Sequence, residues 1–364
     1  MKIGITLDMS AAFWINGMQQ NIVFLYSILK SIGHDCMYIT YKNPRFALKM
    51  DHKGIMLNDL LQDHNEKLDI LIVAGFDLLP EMYNELMRRN KNLRVVLIHF
   101  GNKLMDDIHY GICNTSTQKM PLKTPYCLSQ IWTSPQHEFS KEYIKTYYNF
   151  DNVITTPFIW DPFFVQEKIS ELKKKGLSPF YSEDKKGKVC IFEPNISHVK
   201  NCIIPLSICE RFNQKFPNKL NTVSCFSSER VRRTNYFLRL MNRSSIVQNV
   251  NCHFNNRWSS LDALSKFGST VISHQYDNNL NYAYLEALYL GLPLIHNSEA
   301  MQEVGYFYPK FDVTMGANQL YSSFINHDKV KKEYMQQSRE FLNKFNTHNQ
   351  SNKNLYSKII NEIK

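Results

Sequence analysis

Short apolar runs alternate with amphipathic segments along the first half of the chain. KIGITLD, CMYITY, LDILIVAG, NLRVVLIHF and QIWTS read as strands, and Gln19 to Ser31 reads as an amphipathic helix ending at Gly33. Alternation of this kind predicts a parallel sheet with crossover helices. Near Phe164 the pattern breaks. The stretch EKISELKKKGLSPFYSEDKKGK is charged, holds a Gly and a Pro, and shows no long apolar face, so 166–188 is predicted as a linker and surface excursion after a first domain of 1–165.

The alternation then restarts. KVCIFEP, a helix over 203–214, NTVSCF, a helix from Glu229, IVQNVNCHF, a helix around Leu261, STVISHQ, a helix over 279–290 and PLIHNS predict a second doubly wound domain over 189–328. The α/β class follows: two such domains facing a central cleft, with the carboxyl ends of both sheets on it, where open α/β sheets bind ligands. From Lys329 a charged helix with Tyr334, Phe341, Leu342 and Phe345 at helical spacing is expected to cross back and brace the first domain.

One element of this pattern conflicts with itself. In NNLNYAYLEALYLGLPLIHNS, residues 278–298, the apolar and aromatic positions go nearly round the helix, which predicts that Glu286 is buried. An isolated carboxylate taken out of water is costly, so it must be neutralised, paired or hydrogen-bonded. A neighbouring Arg or Lys would serve, and so would a donor from a ligand.

Composition narrows the class. At 364 residues, 43% hydrophobic and 21% charged, the chain has room for two cores and no bias to disorder. MKIGITLD turns polar without the apolar core of a signal peptide, and no run approaches the roughly 20 apolar residues of a membrane span. The eight cysteines, at 36, 113, 127, 190, 202, 209, 225 and 252, lack ligand spacing and read as reduced core thiols of a cytoplasmic protein. Net charge +10 admits an anionic partner, although lysines at 173–175, 185, 186, 188, 329, 331 and 332 also serve solubility. No HxH or DxD cluster is present, and Asp106-Asp107 reads as a solvated turn, so no essential metal or other cofactor is expected. P-loop, HExxH, GxSxG and kinase patterns are absent, and KIGITLDMSAAFW lacks GxGxxG.

LEALYLGLPLI resembles the C-terminal donor signature of GT-B glycosyltransferases, a helical glutamate followed by Gly-x-Pro and a strand. The resemblance implies that Glu286 accepts from the ribose hydroxyls of a nucleotide sugar. It also implies a diphosphate at the helix start, near Asn279, Leu280 and Asn281, where free N–H groups and the helix dipole suit anions. In retaining members with an E-x7-E motif a second glutamate stands eight positions earlier; here that position is Asn278. WINGMQQN (14–21), IWTSPQ (131–136), IFEPNISHVK (191–200), SHQYDNNLNYAYLEALYLGLPLIHNS (273–298) and GYFY (305–308) are similar, in order, to the landmarks of an uncharacterised family of bacterial and phage proteins described only by a domain of unknown function.

The resemblance places the other candidates. Glu193 and Asn195 end a strand, and Lys200 follows where GT-B enzymes set a cation against the diphosphate; Arg230, Arg232 and Arg233 are alternatives or a solvated face. His274 and His296 end the strands bracketing the motif. Gly17, Trp14 and Asn16 lie where a loop meets donor and acceptor. Asp8 is the candidate base of an inverting reaction and His99 the runner-up, with Phe100 and Lys103 near the acceptor.

The implied function is transfer of a sugar from a nucleotide donor, a UDP-sugar, to a hydroxyl. Charge, 13% aromatic residues and the phage membership of the family favour as acceptor the 5-hydroxymethylcytosine of double-stranded phage DNA, glucosylated or arabinosylated. Lys103, Lys119, Lys123 and Lys173 to Lys175 are expected to meet its phosphates. A bacterial surface glycan is the competing acceptor, and a non-catalytic nucleotide-sugar or nucleic-acid binder the competing class. A monomer or weak dimer is expected.

Overall fold

Two parallel sheets organise the chain, each within its own unit. The computed structural model describes residues 1–8, 17–42, 52–63, 65–113 and 126–363. The first unit comprises Met1–Asp161 and Phe345–Lys364, the second Pro162–Lys344.

The first sheet contains β1 (Lys2–Thr6), β2 (Asp35–Thr40), β3 (Gly54–Met56), β4 (Ile70–Val73), β5 (Arg94–His99), β6 (Leu128–Thr133) and β7 (Val153–Thr155), in the spatial order β3-β2-β1-β4-β5-β6-β7. Its pairings are all parallel. The chain winds outward from β1 in one direction and from β4 in the other, so the switch point lies between them. There the two backbones touch. A Cβ on Gly75 would stand 2.7 Å from the Asp8 nitrogen, and the Thr6 hydroxyl accepts from the Ala74 N–H at 2.8 Å. The five expected strands are present. β3 and β7 are three residues each and too short to stand out as periodic runs.

The second sheet contains β8 (Lys188–Ile191), β9 (Thr222–Cys225), β10 (Asn251–Phe254), β11 (Thr270–Ile272), β12 (Leu294–His296) and β13 (Tyr306–Phe307), in the order β10-β9-β8-β11-β12-β13, again parallel throughout. Its switch point lies between β8 and β11. Of the run IVQNVNCHF only the end is a strand: Ser245–Asn249 is helical, and the Ile246 N–H donates to Glu210 Oε2 at 3.0 Å. A carboxylate from another helix caps it, which no local pattern reveals.

Residues 166–188 begin inside a helix, Phe163–Lys174, that belongs to the second unit and packs on the helix Ser260–Phe267. Its buried stripe of Phe164, Val165, Lys168 and Leu172 straddles the point where the apolar pattern breaks. Lys168 pairs with Asp262 at 3.0 Å. The charged C-terminal helix starts earlier than expected, running Val313–Asn343 within the second unit, where the Tyr334 hydroxyl donates to the Leu292 carbonyl at 2.7 Å. The tail that returns to the first unit is Phe345–Lys364. Its helix Gln350–Asn361 packs against Gly17–Ser31, and the Tyr356 hydroxyl donates to the Pro157 carbonyl at 3.0 Å.

Candidate functional site

The helix Tyr282–Tyr289 is cut to length by its ends. Asn281 caps it, its side chain accepting from the Ala283 N–H at 3.2 Å, and Gly291, at φ +66°, stops it before Leu292-Pro293 lead into β12. Tyr282, Tyr284, Leu285, Glu286, Ala287 and Leu288 are all buried. Glu286 is therefore held in an apolar setting, 9% exposed, and no Arg or Lys meets it among the described residues. Its partner is the Ser260 hydroxyl, which donates to Oε2 at 2.6 Å from the first turn of the helix after β10. Burial pushes its carboxyl up to about 7, moderated by that one hydrogen bond. Among the described residues no cation offsets its charge when it ionises.

A second buried carboxyl lies at the switch point. Glu193 follows β8, and its carboxylate accepts from the Ser273 hydroxyl and from Gln275 Nε2 at 3.5 Å, both just past β11. Burial raises it to about 7 against the opposing pull of Ser273, of the Lys200 charge, and of the His274 N–H and Gln275. Gln275 passes the contact on, for its Oε1 accepts from Asn278 Nδ2. Asn278, buried where the E-x7-E motif has a carboxylate, is thus joined through Gln275 to one.

Lys200 is fixed in the same place by backbone. Its residue forms an isolated antiparallel bridge with Gln275, and its carbonyl accepts from the Asn195 N–H at 3.1 Å. Asn195, at φ +54°, holds the loop shut: Nδ2 donates to the Glu193 and Ser227 carbonyls at 2.8 and 3.1 Å, and Oδ1 accepts from the Cys202 N–H at 2.9 Å. Its polar atoms are used by the protein, so Asn195 shapes the loop that carries Lys200. Asn279 is likewise tied, its carbonyl to the Ser298 hydroxyl and its Oδ1 to the Glu299 N–H. Leu280 is buried.

The two histidines separate. His296 is fully buried with both nitrogens used, Nε2 at 2.8 Å from the Val304 carbonyl and Nδ1 accepting from the Ser298 N–H at 3.2 Å. It is a structural residue. His274 has Nδ1 3.0 Å from the Tyr308 hydroxyl and a buried Nε2 without a partner among the described residues, its ring against Phe311. Burial lowers its pKa to about 4, so it is neutral at pH 7. Arg232 is committed to the Phe254 carbonyl at 2.9 Å and Asn256 Oδ1 at 2.8 Å.

In the first unit the candidates gather at the carboxyl ends of the strands. Asp8 follows β1 and its carbonyl accepts from Gln19 Nε2 on the helix Gly17–Ser31, of which the exposed Gly17 is the first residue. His99 ends β5, two strands away and so roughly 10 Å across the sheet. Its Nε2 is buried without a partner among the described residues, and burial, then the Lys103 charge, lower its pKa to about 4. Phe100 is half-buried after it. Lys103 forms an ion pair with Asp107 and lies 4.1 Å over the Tyr147 ring, which leaves its charge compensated inside the unit. Asp107 also accepts from the Tyr143 hydroxyl at 2.5 Å. Asp107 is thereby half of a folded pair; a solvated turn was the expectation for it. Trp14, Asn16, Lys119 and Lys123 lie outside the described residues.

Ser260, Ser273 and Gln275 join the site although no motif in the sequence marks them. Ser259-Ser260 before an apolar run signals only a helix start, and nothing local reveals that the hydroxyl reaches across to Glu286. Among the described residues no group of three or more His, Cys, Asp or Glu could hold a metal ion, and no helix is long and apolar enough to cross a membrane.

The whole fold has known counterparts. An alpha-glucosyltransferase in complex with UDP and a 13-mer DNA containing a HMU base is similar over 100% of this chain and 99% of its own, at 12% identity and a TM-score of 0.60. Sucrose-phosphate synthase from Thermosynechococcus elongatus matches over 99% and 98%, at 11% and 0.58, and Anabaena Alr3699/HepE in complex with UDP-glucose over 98% and 100%, at 12% and 0.54. At this identity the likeness is one of fold, the paired α/β architecture of GT-B glycosyltransferases. No curated protein matches the sequence. Residues 3–360 match the family model described as Protein of unknown function (DUF2827), and the chain belongs to that family.

Proposed function

We propose that the protein transfers a glycosyl group from a nucleotide sugar, a UDP-sugar by preference, to a hydroxyl acceptor. The observation that carries this reading is Glu286: a buried carboxyl beside the sheet's ligand-binding edge, with one hydroxyl for a partner and no cation among the described residues. Ribose hydroxyls supply the missing donors. Lys200 offsets charge on the departing diphosphate, and the Asn278-Gln275-Glu193 chain orients the transferred sugar. An inverting transfer would draw its base from Asp8 or His99.

Glu286 gives this reading a proton signature. Because its native pKa of about 7 exceeds the ordinary 4.5, the unliganded fold holds the proton over that window, and this group's contribution to stability falls as pH rises from 4.5 through 7. Ribose donors favour the ionised form. Binding of uridine, which carries the ribose without a titrating phosphate, is therefore expected near pH 6.5 to release a fraction of a proton, and its affinity to rise toward pH 8. Calorimetry in buffers of different ionisation enthalpy reads this directly; binding without proton release would remove Glu286 from the ribose.

For the acceptor, the finer reading is the hydroxymethylated base of DNA. The full-length likeness to the DNA-bound alpha-glucosyltransferase and the net charge of +10 support it. A surface glycan is the second reading, favoured by the engagement of Lys103 with Asp107 and by the position of the uncompensated charge described below. Incubation with a panel of nucleotide sugars and either hydroxymethylcytosine DNA or lipid-linked and free glycans, read by mass spectrometry, is expected to show a hexose or pentose mass gain on one acceptor. Transfer to none, with UDP bound, would leave a binding protein.

A further inference from the structure

Positive charge is unevenly placed. Residues 162–344 hold 24 Lys and Arg against 16 Asp and Glu, and the rest of the chain 19 against 17. Within the second unit, residues 230–257 contain six arginines and no Asp or Glu. Arg232 is used internally, tying the turn Val231–Arg233 to the end of β10. Arg230, Arg233, Arg239 and Arg243 are exposed, and none has a carboxylate partner among the described residues. In the first unit several basic groups are paired: Lys2 with Glu66, Lys53 with Asp35, Arg88 and Arg89 with Glu85, Lys141 with Glu138 and Lys145 with Glu142.

The helix Asn235–Asn242 turns apolar groups outward beside these arginines. Phe237 and Met241, four residues apart, anchor its inner face. Along one side of the helix Tyr236, Leu240 and Arg243 follow at helical spacing, with Arg239 next to them on the outermost line. Tyr236 is 81% exposed, Leu240 38% and Leu238, at the flank, 44%. A face that had only to be solvated would not carry this side-chain set.

We infer that this face of the helix Asn235–Asn242 docks on an anionic lipid bilayer surface. Lipid phosphates take the unpaired guanidinium groups in bidentate fashion, and the boundary between headgroups and acyl chains takes Tyr236 and Leu240. A duplex matches the charge but offers no apolar layer for Tyr236 and Leu240. The inference goes beyond the glycosyl-transfer reading and is independent of it, because its test reads sedimentation alone.

The full-length protein is mixed at low salt with vesicles of phosphatidylcholine, or of phosphatidylcholine with one third phosphatidylglycerol, and pelleted. Binding is expected only to the anionic vesicles and to fall with added salt. A triple variant, R233Q/R239Q/R243Q, should weaken it on the order of a hundredfold. Y236S/L240S should weaken it severalfold while UDP affinity, measured alongside, reports that the unit is folded. Equal binding to both vesicle types, or no binding to either, overturns the proposal. So does tight duplex-DNA binding that the arginine variant abolishes while Y236S/L240S leaves it intact, since that outcome assigns the surface to nucleic acid.

Discussion

Glu286→Gln is expected to weaken UDP binding at least tenfold at pH 8 while leaving the fold intact. The amide keeps the size of the side chain and can still accept from Ser260, but it loses the charge that strengthens bonds from ribose hydroxyls, worth about 1.5–3 kcal/mol for each charge-assisted bond. The native protein at that pH carries a buried carboxylate with only one hydroxyl partner, so the neutral amide should not lower thermal stability. The two readouts move in different directions, which separates a ligand-binding glutamate from a structural one. A folded variant with unchanged affinity would sink the ribose assignment. One that melts much earlier would instead mean that the carboxylate braces the core.

Lys200→Ala is expected to lower kcat by about 100- to 1,000-fold, the scale seen when one group stabilising a developing negative charge is removed. KM should change much less, because charge on the leaving diphosphate grows toward the transition state. The backbone bridge to Gln275 and the Asn195 contact do not depend on the lysine side chain, so the loop should persist in the variant. A rise in KM with kcat unchanged would assign Lys200 to ground-state binding alone.

The strand order of the second sheet puts Glu193 and Lys200 at its switch point, and much of the order of both sheets was legible. Five strands of the first sheet and the frames of five in the second stand out because buried parallel strands are short, nearly continuous apolar runs. The short edge strands β3, β7 and β13 do not, since two or three residues carry no period. The predicted boundary near residue 165 fell inside a helix for a related reason. The stripe of Phe163–Lys174 includes Lys168, buried because Asp262 from a distant helix neutralises it, and a buried lysine reads as surface until its partner is known.

The sequence by itself determined that Glu286 is buried: an eight-residue helix apolar on every side has no face left for water. It also determined the Gly291 stop, because a positive φ before Pro293 favours glycine. Tertiary structure alone decided what Glu286, Glu193 and the histidines meet. His274 and His296 look alike as strand-ending histidines, yet among the described residues one keeps a buried nitrogen without a partner and the other bonds through both. Ser260 reaches Glu286 from 26 residues away and Ser273 reaches Glu193 from 80, separations at which no local periodicity carries information. The charge balance was equally readable as a sum, but its meaning was spatial: Lys103 is neutralised by a carboxylate one turn along its helix, whereas four arginines around the helix Asn235–Asn242 have none, because that segment packs by Phe237 and Met241 and leaves its basic face outward.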